Sequence, residues 1–327
     1  MGALRRTTVL LVLASVTALG VVGAACAPTP PPPNQVPNPT AAQVVAESFG
    51  ATIAPQLRDV SYDGGIVTGC GPGAATHETC NGSRTLDVYS HDPSSEPAGT
   101  IVFVHGGGFT MGDKSDRTGL LGPILFQTTR GWDVVSVNYR LNRTQAAPWP
   151  AAVTDVAVAI SWIRTHAGDL GVDPSKIVVA GHSAGGTIAA LNGVAWNSGD
   201  DAYSDVSRVD GWIDMAGIND FSLGGNSNFW GIIWLPAITL WRHRMSPTSF
   251  INAADPPGHL IAGDSDGIVS TAQSHFLQMV ARQRGASVGL DIVDAWADLT
   301  WMPARIRNHE PGGGVNLAAL AAFLDAV

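Results

Sequence analysis

From about Ala41 onward the chain alternates between short β-branched runs and longer segments with helical spacing. Thr85–Tyr89 (TLDVY), Ile101–Val104, Val134–Val137, Ile177–Ala180, Val209–Asp214, His259–Ala262 and Val288–Val293 predict strands. Between and after them, residues 116–129, 150–166, 184–196, 270–284 and 315–326 predict helices. The strand runs are almost continuously apolar, without the in–out alternation expected where one face of a sheet meets water. Strand–helix alternation of this kind predicts an α/β fold, a mostly parallel central sheet with helices on both faces. Residues 221–250 break the rhythm. They hold Phe221, Phe229, Trp230, Trp234 and Trp241, and predict a small aromatic cap inserted into the fold.

The first forty residues read differently. Arg5 and Arg6 precede an apolar run from Thr7 to Val22, followed by Gly23, Ala24, Ala25 and Cys26. A basic start, a short apolar stretch and small residues predict an export signal over 1–26. Gly-Ala-Ala-Cys also resembles a lipoprotein cleavage site, which would leave Cys26 lipidated and the protein tethered to a membrane. Cleavage after Ala27 and free secretion is the other expectation. Residues 27–40, APTPPPPNQVPNPT, suit an extended Pro-rich linker. The catalytic domain is then expected over 41–327. The other two cysteines, Cys70 and Cys80, flank a Gly-rich loop, and in an oxidising compartment a disulfide between them is expected.

Charge narrows the partners. The 18 basic and 27 acidic residues give −9, and removal of 1–26 takes away two arginines and no acid, shifting the balance to −11. A chain this acidic, whose lysines are Lys114 and Lys176, carries no basic stripe for nucleic acid and no polybasic membrane patch. No metal-ligand motif such as H-E-x-x-H occurs, and no cofactor is expected.

Two motifs carry chemistry. Gly181-His182-Ser183-Ala184-Gly185-Gly186 lies between the strand IVVA and a small-residue helix. A nucleophilic serine needs a sharp strand-to-helix turn that lifts its hydroxyl out of the sheet, and flanking glycines tolerate that backbone. The helix start behind it adds free N–H groups. His105-Gly106-Gly107-Gly108-Phe109 follows the strand IVFV. Its glycines free backbone N–H groups to stabilise the negative charge that develops on a carbonyl oxygen during acyl transfer.

With these motifs, Leu86 to about Val194 resembles the α/β-hydrolase fold esterases of the hormone-sensitive-lipase-like and feruloyl-esterase-like groups. The matching pieces are LDVYS, VHGGGF, GDK (112–114), VNYRL, WPAAVTD and GVDPSKIVVAGHSAGG. The resemblance implies Ser183 as nucleophile and an oxyanion hole from the N–H groups of Gly107, Gly108 and Ala184. His105 would orient the glycine loop. It places the acid at Asp266 in GDSDGIV, with Asp264 as the alternative.

In this fold the base follows the acid. His275 and His309 are the two histidines that do. His275 falls inside a helical pattern, so His309, in a loop before the final helix, is the expected base. Phe109, Phe229, Trp230 and Trp234 are expected to touch substrate. Asp155, Trp162 and His182 read as structural. The expected activity is hydrolysis of small or short-to-medium acyl esters through an acyl-enzyme. A feruloyl or acetyl-xylan esterase, a serine peptidase or amidase, and a non-catalytic binding protein on the same fold are the alternatives.

Overall fold

The computed structural model describes residues 53–62, 84–116, 121–141, 150–223, 242–264, 266–293 and 317–327. All of them belong to one compact unit. Eight strands form a single sheet: β1 (Leu57–Ser61), β2 (Thr85–Tyr89), β3 (Gly99–Val104), β4 (Trp132–Val137), β5 (Ile177–His182), β6 (Gly211–Met215), β7 (Gly258–Gly263) and β8 (Val288–Val293). Their order across the sheet is β1-β2-β4-β3-β5-β6-β7-β8. β2 runs antiparallel to both of its neighbours, and every other pairing is parallel. The sheet is mostly parallel, as the apolar runs predicted.

The described helices are α1 (Leu121–Leu125), α2 (Ala151–Thr165), α3 (Ala167–Leu170), α4 (Ala184–Val194), α5 (Ala272–Gln283) and α6 (Leu317–Ala326). They divide between the two faces. α2, α4 and α5 bury Ile160, Ile188 and Leu277 against Val102, Val135, Val179 and Leu260. α1 and α6 bury Ile124, Leu320 and Leu324 against Ile101, Phe103, Val178 and Ile261 on the opposite face. Alternate residues of each parallel strand thus enter different cores, which is why β3, β5 and β7 are apolar at nearly every position. The stretch predicted as helix over 116–129 contains α1 followed by a 3-10 turn, Phe126–Arg130, that ends at Gly131 with φ 90°.

Register decides where the loops gather. Val104 lies opposite Gly181, His182 opposite Met215, and Met215 opposite Ile261. The carboxyl ends of β3, β5, β6 and β7 therefore reach one edge of the sheet together, where ligands of open parallel sheets bind. The segments that leave them carry the HGGGF loop, Ser183, Ala216 and Asp266.

Candidate active site

The turn from β5 into α4 is strained. Ser183 has φ 54° and ψ −118°, a conformation that costs a non-glycine residue about 1–3 kcal/mol. Neighbouring backbone holds it there. The Ser183 N–H donates to the Met215 carbonyl at 2.8 Å, and the Thr187 N–H donates to the Ser183 carbonyl at 3.1 Å. Thr187 Oγ1 locks the next loop by donating to the Ile218 carbonyl and accepting from the Ile218 N–H, both at 2.9 Å. The first turn of α4 needs Gly185, because a Cβ there would lie 2.1 Å from the Val104 carbonyl oxygen and 2.5 Å from that of His105. The glycine-rich loop and the start of α4 are thus in direct backbone contact. Ala184 opens α4, so its N–H has no carbonyl partner within the helix.

The loop after β3 is turned by three successive positive φ angles: Gly107 at 111°, Gly108 at 60° and Phe109 at 61°. Two carbonyls are tied down. The Gly106 carbonyl accepts from His105 Nδ1 at 2.7 Å and, more weakly, from the Tyr139 hydroxyl at 3.4 Å. The Gly107 carbonyl accepts the N–H groups of Thr110 at 3.1 Å and Met111 at 3.0 Å. In a planar trans peptide the N–H points opposite to the C=O. The N–H groups of Gly107 and Gly108 are therefore turned away from the bonds that hold those carbonyls. His105 is buried and stacks on Tyr139 at 4.4 Å between ring centroids. Tyr139 also donates to the His105 carbonyl at 3.0 Å, and complete burial holds its phenol well above the usual tyrosine range.

Asp266 sits in the turn after β7. Its Oδ1 accepts the N–H groups of Ile268 at 2.7 Å and Val269 at 2.9 Å, which fixes the carboxylate. It is half-buried, whereas Asp264 is exposed and donates its N–H to the Val293 carbonyl. His275 is exposed on α5. Phe109 is buried, with its ring centroid 6.5 Å from that of Phe221. His309, Phe229, Trp230, Trp234, Cys26, Cys70 and Cys80 lie outside the described residues.

Asp155 is fully buried and binds two arginines, Arg84 at 2.7 Å and Arg140 at 2.8 Å. Its carboxylate and that hydrogen bonding hold the Arg140 guanidinium above its ordinary value. Trp162 stacks on His166 at 4.2 Å. Among the described residues no group of three or more His, Cys, Asp or Glu is placed to hold a metal ion, and no helix is long and apolar enough to cross a membrane.

Three polar residues near the site were given no role by the sequence. Lys114 pairs with Asp59 and Asp87, Asp214 lies inside the sheet, and Gln273 reaches across from α5 to the loop after β6. The visible signals were Lys114 in GDK and Asp214, an acid in the middle of the apolar run GWIDM.

The sheet order, the elbow and the glycine loop define an α/β-hydrolase architecture. The BD-FAE family model matches residues 86–280, more than half of the chain, and the chain belongs to that family. Among curated proteins it is similar to esterase LipQ of Mycobacterium tuberculosis, 28% identical over 252 residues covering 72% of this chain and 54% of LipQ. Lipase 2 of Moraxella sp. (strain TA144) is 41% identical over 115 residues, 34% of this chain and 26% of that protein. The chain thus spans about half or less of these relatives. Among solved structures, a truncated carbohydrate esterase from gut microbiota superposes with a TM-score of 0.65, at 22% identity, over 83% of this chain and 95% of that one. This last likeness concerns the fold.

Proposed function

We propose that the chain is a serine carboxylic-ester hydrolase acting on small or short-to-medium acyl esters through Ser183, Asp266 and His309. The observation that carries this reading is the strained Ser183 at the start of α4, packed against the glycine loop. The names of its relatives, an esterase and a lipase, support it. Ser183 Oγ attacks the ester carbonyl carbon while His309 takes its proton. The developing oxyanion is received by the N–H groups of Gly107, Gly108 and Ala184. The tetrahedral intermediate then expels the alcohol, which takes the proton from His309, and leaves Ser183 acylated. A water molecule, deprotonated by His309, attacks the acyl carbon, and the intermediate expels Ser183 Oγ, which takes that proton back from His309 as the acid is released. Asp266 orients the imidazole and stabilises its charged form. Phe109, Phe229, Trp230 and Trp234 are assigned to the acyl or alcohol pocket.

The test is a p-nitrophenyl ester panel from C2 to C16 on wild type, Ser183→Ala and His309→Ala. Loss of about 10⁴-fold or more in kcat is expected for each variant. Turnover surviving in Ser183→Ala overturns the mechanism, and survival in His309→Ala moves the base to His275. Acetylated xylan and feruloyl esters, run alongside, test polymer-linked substrates.

Export over 1–26, a Pro-rich linker over 27–40 and lipidation at Cys26 complete the proposal, with a Cys70–Cys80 disulfide. Mass spectrometry of the native product, with and without reduction, reads all of these. An unmodified, uncleaved chain with three free thiols would refute them.

A further inference from the structure

Asp214 stands one residue before Met215, whose carbonyl receives the Ser183 N–H. It is fully buried in β6, with Gly181 of β5 and Leu260 of β7 beside it in the sheet. One carboxyl oxygen, Oδ1, accepts the Gly217 N–H at 2.8 Å across a tight turn in which Ala216 has φ 56°. The same oxygen lies so close to the first turn of α4 that a Cβ on Gly186 would come within 2.1 Å of it. The carboxyl therefore fills the gap between β6, the turn after it and the helix that carries Ser183.

The other oxygen, Oδ2, is buried and meets no hydrogen-bond donor among the described residues. The Asn219 amide lies against this carboxyl. Its nitrogen donates to the Gly217 carbonyl at 3.3 Å, and its Oδ1 is also buried and without a partner. An ionised carboxylate leaves both oxygens unmatched, since neither can donate. A proton on Asp214 Oδ2 removes the unmatched charge and gives that oxygen a hydrogen to donate, for which Asn219 Oδ1, itself unpartnered on the amide beside this carboxyl, is the candidate acceptor.

We propose that Asp214 is a positioning residue that works as a neutral acid, its proton bridging to Asn219 and fixing the turn that supports the Ser183 backbone. Burial pushes the carboxyl up to about 7, against weaker opposite pulls from the Asn219 side chain and the Gly217 N–H. No charged group among the described residues contributes to its environment from β5, β7 or α4. Because the folded-state value is raised, the stability contributed by Asp214 is complete below the ordinary carboxylate value of 3.8 and is lost as pH rises through about 7. The positioning role rests on Ser183 being the nucleophile.

The test compares wild type, Asp214→Asn and Asp214→Ala. Infrared difference spectra of the wild type between pH 5 and 9 are expected to show a protonated-carboxyl band that titrates near neutrality and is missing from Asp214→Asn. The asparagine variant keeps the acceptor to Gly217 and a donor to Asn219. Its kcat at pH 6 should stay within about twofold of wild type, and its Tm should fall less than that of wild type between pH 6 and 9. Asp214→Ala should lose about tenfold or more in kcat at every pH with KM little changed. A carboxylate fully ionised at pH 6, or an asparagine variant as impaired as the alanine one, overturns the proposal. Should the band and the Tm behaviour appear while no variant hydrolyses any ester, the esterase reading falls and the protonated Asp214 stands.

Discussion

At single residues, this chain places strain and buried charge where they hold the site. Ser183 keeps a φ of 54° that alanine would share and glycine would relax. Both Ser183→Ala and Ser183→Gly should be inactive. The glycine variant should nevertheless be the more stable of the two, by about 1 kcal/mol in urea unfolding, because relief of strain outweighs the added freedom of its unfolded chain. An alanine variant of equal or greater stability would mean the turn carries no strain. Lys114 is a second case. It is 3% exposed and pairs with Asp59 at 2.6 Å and Asp87 at 3.1 Å. Burial alone would push its ammonium down, but the carboxylates of Asp59, Asp87 and Asp113 hold it above its ordinary value. Lys114→Met should cost about 3 kcal/mol or more, because Asp87, 2% exposed, is left as a buried charge without its partner. A loss below 1 kcal/mol in the same assay would contradict that account.

Between elements, the loop after β6 connects the nucleophile to the acid. Gln273, near the start of α5 and seven residues after Asp266, accepts the N–H groups of Asn219 at 3.0 Å and Asp220 at 2.8 Å through Oε1. Its nitrogen donates to the Asp220 carbonyl at 3.1 Å. Gln273→Ala leaves the Asn219 and Asp220 N–H groups without that acceptor and should cost about 2 kcal/mol of stability. It should lower kcat more than it raises KM, and Gln273→Glu, which keeps the acceptor, should recover part of the loss. A change confined to KM would place Gln273 in substrate binding. Such links explain what the sequence could and could not reveal. The parallel strands from β3 to β8 and the later helices were legible because long apolar runs bounded by turns have one physical reading. β1 was not. LRDVS has two apolar residues, pairs along one edge, and shifts register between Leu57 and Val60, where Asp59 takes φ 55°. The predicted helix over 116–129 was blurred by Gly122-Pro123 and the 3-10 turn behind them. Ser183 and the glycine loop were legible because local backbone geometry demands those residue types. The roles of Gln273 and Lys114 were not, since Lys114 stood out only as part of GDK and their partners lie 27 to 55 positions away.

Taken together, the molecule separates its two cores by function. The sheet divides a face covered by α2, α4 and α5 from a face covered by α1 and α6. α4 carries the elbow, so side chains beneath it set the position of Ser183 as well as contributing to stability. Ile188 on α4 and Leu320 on α6 are both fully buried. Truncation of either to alanine removes comparable apolar volume and should cost about 2–5 kcal/mol. Their effects on turnover should differ. Ile188→Ala lets the first turns of α4 settle toward the sheet and should lower kcat about fivefold or more, whereas Leu320→Ala leaves kcat within about twofold of wild type. With the sheet between them and no shared contact, their stability losses should add to within about 0.5 kcal/mol in the double variant. Equal losses of kcat from the two substitutions would show that the sheet transmits strain between its faces. The elbow would then depend on the packing of the whole fold, and α4 would lose its special place in the support of Ser183.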